Sequence, residues 1–96
     1  MTIYMISWFG LVDLDYVGIP LGVFRTKDEA IRSTDNIGPD LCHDGTITLY
    51  RISIPGFFIG AIPEMKWQYR TKYDSADNKI GVLSNQTTID RDNPDN

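Results

Sequence analysis

The first residues of the chain have the character of a β-strand. Thr2 to Phe9 (TIYMISWF) combines β-branched and aromatic side chains, with apolar residues at both even and odd positions. This pattern is typical of a strand that is central in a sheet or covered on both faces. Residues 10–20 alternate less regularly and contain Gly18 and Pro20. We interpret them as a loop with room for a short strand.

A capping box marks the start of one short helix. The Thr26 hydroxyl is placed to accept a hydrogen bond from the Glu29 amide, while the Glu29 carboxylate reaches back to the Thr26 amide. The helix is predicted over about 27–36 and ends at Gly38-Pro39. Its buried stripe is narrow and consists of Ala30, Ile31 and Thr34. A helix with so few apolar residues depends on packing against a sheet.

The second half of the chain predicts three more strand regions. Residues 46–54 (TITLYRISI) are rich in β-branched side chains, and residues 65–73 alternate strictly between two kinds of side chain. A polar hairpin connection then leads into residues 80–84 (IGVLS). Between these strands, the apolar residues 57–63 are either an edge strand with a bulge or a loop over the core. The polar tail at about 85–96 is expected to fray.

Together these elements predict an α+β fold. We expect a two-layer sandwich in which a mostly antiparallel sheet of four to five strands carries one short helix, about 27–36, on one face. A chain of 96 residues suits a single domain, which we assign to 1–96. Its 42% hydrophobic content is sufficient for a core.

Part of the chain resembles small uncharacterised bacterial and phage proteins. In these, a strand leads into a helix that starts with Gly-Val-Phe-Ser/Thr-x-x-Glu-Ala, and a second strand follows. The resemblance covers residues 3–54, and the matching residues are Gly22, Val23, Phe24, Thr26, Glu29, Ala30, Leu49, Tyr50 and Ile52. The resemblance implies a fold and an origin in a bacterial or phage genome. It implies no activity, because these proteins have no assigned chemistry.

The net charge, the single cysteine and the N-terminal sequence limit which partners and which cellular compartment are expected. A net charge of −4 argues against nucleic acid, whose binding needs a positive field. The single cysteine excludes an internal disulfide and a multi-thiolate metal site, and a lone thiol suits a reducing compartment. The apolar N-terminus lacks the basic start of a signal peptide. We therefore expect a cytoplasmic protein, in the host cytoplasm if a phage encodes it, with no membrane partner.

Two groups of polar residues were considered as sites of chemistry. Asp40, Cys42, His43 and Asp44 bring a thiol, an imidazole and two carboxylates close in sequence, but no second His or Cys completes a zinc site. We interpret them as a polar loop. An enzyme would need Asp13, Asp15, His43 or Tyr50 gathered in one cleft with perturbed pKa values. We expect no catalytic residue, metal or cofactor, and hence no enzyme.

The strand at 65–73 is the candidate binding edge. Lys66, Arg70 and Lys72 share one parity with Gln68 and no acid, in a chain that is acidic overall. These cations are either an ordinary solvent face or charged contacts for an acidic partner, with Trp67 or Tyr69 as an aromatic anchor. The parity that faces the core is left open.

The sequence thus favours a small non-enzymatic binding protein, an accessory protein or inhibitor that occupies the surface of a protein partner. The aromatic residues outnumber what one helix covers, so they either form a thick core closed by the loops or lie in part on an open sheet face, which would allow a homodimer. The alternative is a small-ligand or nucleotide-binding domain, with an aromatic pocket between the sheet and residues 55–63. Arg51, Arg70 or Tyr50 would then contact the ligand.

Overall fold

The computed structural model describes residues 1–39, 43–54 and 60–89, and in these residues five strands form one sheet with a single short helix. All neighbouring strands are antiparallel. The elements in chain order are β1 (Thr2–Val12), β2 (Asp15–Phe24), α1 (Lys27–Ser33), a 3₁₀ turn (Thr34–Asn36), β3 (Gly45–Ser53), β4 (Gly60–Tyr73) and β5 (Lys79–Thr88). The predicted α+β fold is confirmed.

The strand order in the sheet is β2-β1-β3-β4-β5. β1 and β2 form one hairpin, and β4 and β5 form another. α1 carries the chain from the edge strand β2 to the central strand β3. Because β1 and β4 both run antiparallel to β3, both hairpins turn at the end of the sheet where β3 begins.

The core lies on the face of the sheet that α1 covers. Its buried hydrophobic side chains are Ile6, Trp8, Ala30, Ile47, Leu49, Met65, Trp67 and Tyr69. Trp8 packs its ring over Gly10 and Gly45, where an added Cβ would collide with the indole. The Trp8 indole N–H donates to the His43 carbonyl at 2.9 Å. Large aromatic rings that pack against glycines therefore fill much of the space over the five strands that the short helix does not cover.

The helix has the predicted length, because α1 and the 3₁₀ turn together span residues 27–36. The Glu29 amide donates to the Thr26 hydroxyl at 3.2 Å, which is the N-terminal half of the capping box. Ala30 and Thr34 are buried, and Ile31 packs against the core. The predicted buried stripe is thus confirmed.

A β-bulge in β4 attaches the start of the helix to the sheet. Pairing shifts by one residue between Leu49 and Tyr50, which leaves Glu64 as the extra residue of β4. Its carboxylate lies 3.0 Å from Lys27 Nζ and 2.8 Å from Arg51 Nε. The bulge thus turns a carboxylate toward two cations, one in α1 and one in β3.

The interpretation of residues 10–20 as a loop is wrong, because β2 begins at Asp15 and pairs along β1. The turn is two residues long, and both have positive φ: 49° at Asp13 and 75° at Leu14. Such a turn matches the twist of the strands but normally contains Asn-Gly or Asp-Gly. Asp-Leu lacks that signature. Pro20 is accommodated beside a pairing irregularity, on an edge strand.

The second hairpin is also longer than predicted. β4 starts at Gly60 instead of residue 65 and tolerates Pro63 because that residue lies at the bulge. β5 continues to Thr88, so the prediction of a frayed tail is wrong for residues 85–88. β5 has a pairing irregularity at this point, with Asn85 at φ 53°, and it remains paired to β4 on both sides of the irregularity. Residues 55–59 and 90–96 lie outside the described residues.

Leu14→Gly should stabilise the fold. Leu14 is 90% exposed at φ 75°, so its side chain buries almost nothing while its backbone is in the left-handed region. Relief of that strain outweighs the greater chain entropy of glycine, and we expect a gain of about 0.5–1 kcal/mol in the free energy of unfolding. Urea denaturation measures it, with Asp77→Gly, at φ 62°, as a second positive-φ site for comparison. Lower stability of Leu14→Gly would contradict the turn geometry.

Candidate functional site

The candidate site is the sheet face opposite α1, which we call the open face. Residues that pair across strands share a face, so the core residues and the register identify its members. They include Met5, Ser7, Phe9 and Leu11 of β1, Tyr16, Gly18, Pro20 and Val23 of β2, Thr46, Thr48 and Tyr50 of β3, Lys66, Gln68, Arg70 and Lys72 of β4, and Ile80 and Val82 of β5.

One half of the open face is apolar. The Phe9 and Tyr16 rings stack with their centroids 5.6 Å apart and an interplanar angle of 9°. They are 50% and 71% exposed, as is Leu11, the partner of Tyr16, at 48%, and Val23 further along β2, opposite Met5, is also exposed. Phe9 lies over Gly18, its partner on β2. Stacked rings that remain this exposed contribute little to the core and offer a contact surface.

The other half of the open face is cationic. Lys66, Arg70 and Lys72 are exposed along β4. Among the described residues, the ion pairs found involve Lys27, Arg51 and Glu64, and none involves this row. The described strand residues of the open face include no carboxylate. The face is therefore divided into an apolar half on β1 and β2 and a basic half on β4.

The structure decides which parity of β4 faces the core and corrects the predicted anchor. Trp67 and Tyr69 are 5% and 1% exposed on the covered face. The Trp67 indole N–H donates to Gln86 Oε1 at 3.2 Å, and Tyr69 packs against Gly81. Strand alternation places these rings on the opposite side from Lys66, Arg70 and Lys72. Neither ring can therefore be an anchor beside the cations in this fold.

Phe9 and Tyr16 are the exposed stacked rings on the same face as the cations, on β1 and β2, and sequence reasoning did not single them out. The number of aromatic residues predicts that some rings lie on an uncovered face of the sheet. The interpretation of residues 10–20 as a loop, however, places Tyr16 on neither face. A usable signal was present. Tyr16, Gly18 and Pro20 alternate as one parity of β2, opposite β1.

The polar loop before β3 has a structural role at Asp44. Asp44 Oδ1 accepts hydrogen bonds from the Thr71 amide at 2.8 Å and the Thr71 hydroxyl at 3.2 Å. The amide hydrogen bond lowers the pKa of Asp44, and the hydroxyl of Thr71 and the charge of Arg70 act in the same direction. Thr71 lies two residues beyond the last β4 residue paired with β3, so Asp44 satisfies a strand amide there. Asp40 and Cys42 lie outside the described residues.

The residues considered for catalysis are spread over different elements. Asp13 is in the turn between β1 and β2, Asp15 begins β2, His43 precedes β3, and Tyr50 is on the open face within β3. Among residues 1–39, 43–54 and 60–89, no group of three or more His, Cys, Asp or Glu side chains is arranged to hold a metal ion.

The residues considered for ligand binding are divided between the two faces. Arg51 pairs with Glu64 on the covered face, whereas Tyr50 and Arg70 lie on the open face. The predicted pocket involves residues 55–59, outside the described residues. The open face does contain a shallow groove of about 270 Å³, bordered by Phe9, Tyr50 and Lys66 and floored in part by Thr46 and Thr48.

Comparison of the chain with protein families, with curated proteins and with solved structures gave no match. Within the described part of the chain, no helix has both the length and the apolar character that crossing a membrane requires.

The Asp44 carboxyl should titrate below its ordinary pKa of 3.8, because the Thr71 amide stabilises the carboxylate. A carboxyl whose pKa is lowered by folding contributes stability above its unfolded pKa, about 3.9, and loses it as pH falls through the folded pKa. A ¹³C-carboxyl NMR titration should show this pKa, and the Thr71 amide resonance should move with the same midpoint.

Asp74 is the matched control for this titration. Its pKa is also lowered, but by the Asn78 and Ala76 amides, so its titration should leave Thr71 unmoved. Asp44→Asn should abolish the Thr71 transition. An Asp44 pKa at or above 3.8, or a Thr71 midpoint unrelated to it, would refute the contact.

Proposed function

We propose that this chain is a small non-enzymatic binding protein that acts by occupying the surface of a protein partner, as an accessory protein or inhibitor of phage or bacterial origin working in the cytoplasm. The observation that carries the proposal is the division of the open face. Its exposed Phe9–Tyr16 stack on β1 and β2 lies on the same face as the exposed cations Lys66, Arg70 and Lys72 of β4. Aromatic and arginine side chains are the residues most enriched in binding hot spots.

The charge of the open face specifies the chemistry of the partner. With Lys66, Arg70 and Lys72 and no carboxylate among its described strand residues, the face is basic in a protein of net charge −4. A partner that presents carboxylates beside an apolar patch would neutralise the cations and cover the rings together. Three cations are few for a nucleic-acid surface, and the negative charge of the rest of the chain opposes binding to phosphates.

The groove bordered by Phe9, Tyr50 and Lys66 favours a second candidate, a small anionic or nucleotide ligand. An aromatic ring, hydroxyl groups and a cation converge there, which suits a ring system with a negative group. The groove holds about 270 Å³, at the lower end of ordinary ligand sites. We therefore rank this function below protein binding.

Reversal of the cation row should remove partner binding. Tagged wild type and the triple variant Lys66→Glu, Arg70→Glu, Lys72→Glu are used to capture proteins from a bacterial lysate, and a captured protein is then purified and measured by titration calorimetry. We expect the triple variant to bind at least about 100-fold more weakly, because three attractive contacts become repulsive. The purified partner should have an acidic contact surface.

Matched controls separate the charge pattern from charge alone. Arg32→Glu is an exposed reversal in α1, outside the open face, and should leave binding unchanged. Phe9→Ser should weaken binding without any change in charge. If the triple variant binds as wild type does, the cationic half is not the contact surface. If wild type instead binds a nucleotide in its groove and retains no protein, the second candidate replaces the first.

A further inference from the structure

The apolar and cationic halves of the open face are arranged symmetrically about β3. β1 and β4 are the two hydrogen-bonded neighbours of β3, so each lies about 4.8 Å from it on opposite sides. Thr46 of β3 pairs with both Phe9 and Gln68, which places these two residues at the same height in the sheet. Two residues further along each strand, Leu11 is level with Arg70.

This register determines what a two-fold axis would bring together. If two copies meet by their open faces around an axis that runs parallel to the strands over β3, β1 of one copy lies over β4 of the other. Leu11 then lies over Arg70 of the second copy, with the Phe9 and Tyr16 rings next to it. Long cationic side chains can pack their aliphatic stems on such an apolar surface while their charged groups stay near its edge. An axis perpendicular to the strands would instead place each cation row over the other.

The β1–β2 turn provides the opposite charge. Asp13 directly follows the last residue of β1, Val12, at the end of the sheet where Lys72 and Tyr73 end β4, so in this arrangement each acidic turn lies near the cationic end of β4 in the other copy. Asp13 and Asp15 flank Leu14, which is 90% exposed. The carboxylates missing from the open face are thus supplied at its end by a second copy of the chain.

The area of the open face suits a stable dimer. Five strands spaced about 4.8 Å apart and about ten residues long at about 3.4 Å per residue give a face of roughly 800 Å². That is about the area which each partner of a standard protein interface buries. The two sheets would pack about 10 Å apart, as in other sandwiches.

We infer that a second copy of this chain covers the open face in a face-to-face dimer, with the apolar half of each copy over the cationic half of the other. The dimer keeps the rings of Phe9 and Tyr16 out of water. The inference goes beyond the proposed function and does not depend on it, because self-association can occur with no other partner.

Sedimentation equilibrium tests the dimer with charge-swapped variants. Wild type should sediment at twice 10.9 kDa at micromolar concentration. Asp13→Lys and Lys72→Glu should each raise the dimer dissociation constant about tenfold or more, because two attractive contacts become repulsive in a symmetric dimer. An equimolar mixture of the two variants should restore dimer formation to within about threefold of wild type, since both contacts are then attractive again.

Further controls keep the outcome clear. Asp35→Lys and Arg32→Glu, which are exposed in the helical segment and away from the open face, should sediment as wild type does. Circular dichroism and thermal unfolding confirm that each variant is folded, and wild type in high salt provides a test without substitution, because screening should weaken the dimer. A wild type that stays monomeric at all concentrations overturns the inference. If both substitutions leave the dimer dissociation constant unchanged, or if the mixture does not restore dimer formation, this arrangement is wrong.

Failure of the dimer can be distinguished from failure of the proposed function. Partner capture is measured with the triple cation variant and Phe9→Ser, and it does not require self-association. A monomeric wild type that still binds an acidic protein through the cation row would reject the dimer alone.

Discussion

One short helix has to cover one face of a five-stranded sheet, and the rest of the structure depends on how that is done. α1 and its 3₁₀ turn contribute Ala30, Ile31 and Thr34 to the buried side. The remaining space is filled by rings, with Trp8 packed on Gly10 and Gly45, and Tyr69 packed on Gly81. The bulge at Glu64 holds the helix start in place through Lys27. All of these contacts lie on the face of the sheet that α1 covers.

The second face is left to side chains that gain little from the fold itself. Phe9 and Tyr16 stack there but stay half or more exposed, and the cations of β4 have no carboxylate partner among the described strand residues of that face. An exposed apolar area of this kind carries a cost in solubility unless another surface covers it. Binding to another protein surface accounts for both features at once, whether that surface belongs to a partner or to a second copy.

The fold class, the helix limits and the capping residue Thr26 could be predicted, because they depend on local patterns of three to ten residues. The β1–β2 hairpin could not, since Asp13-Leu14 adopts a positive-φ turn without the usual glycine. The length of β4 was hidden by Pro63, which is tolerated only because of a bulge that pairing creates. For the site, alternation grouped Lys66, Arg70 and Lys72 correctly. Which parity is buried depends on where α1 packs, and local patterning alone did not resolve it.

A concentration series of amide and methyl NMR spectra tests most directly that the open face is the surface through which this chain associates. On dilution, resonances of Phe9, Leu11, Tyr16, Arg70 and Lys72 should shift together with one dissociation constant, while those of α1 should stay fixed. Shifts centred on α1, or no shift anywhere over the full concentration range, would contradict self-association through the open face.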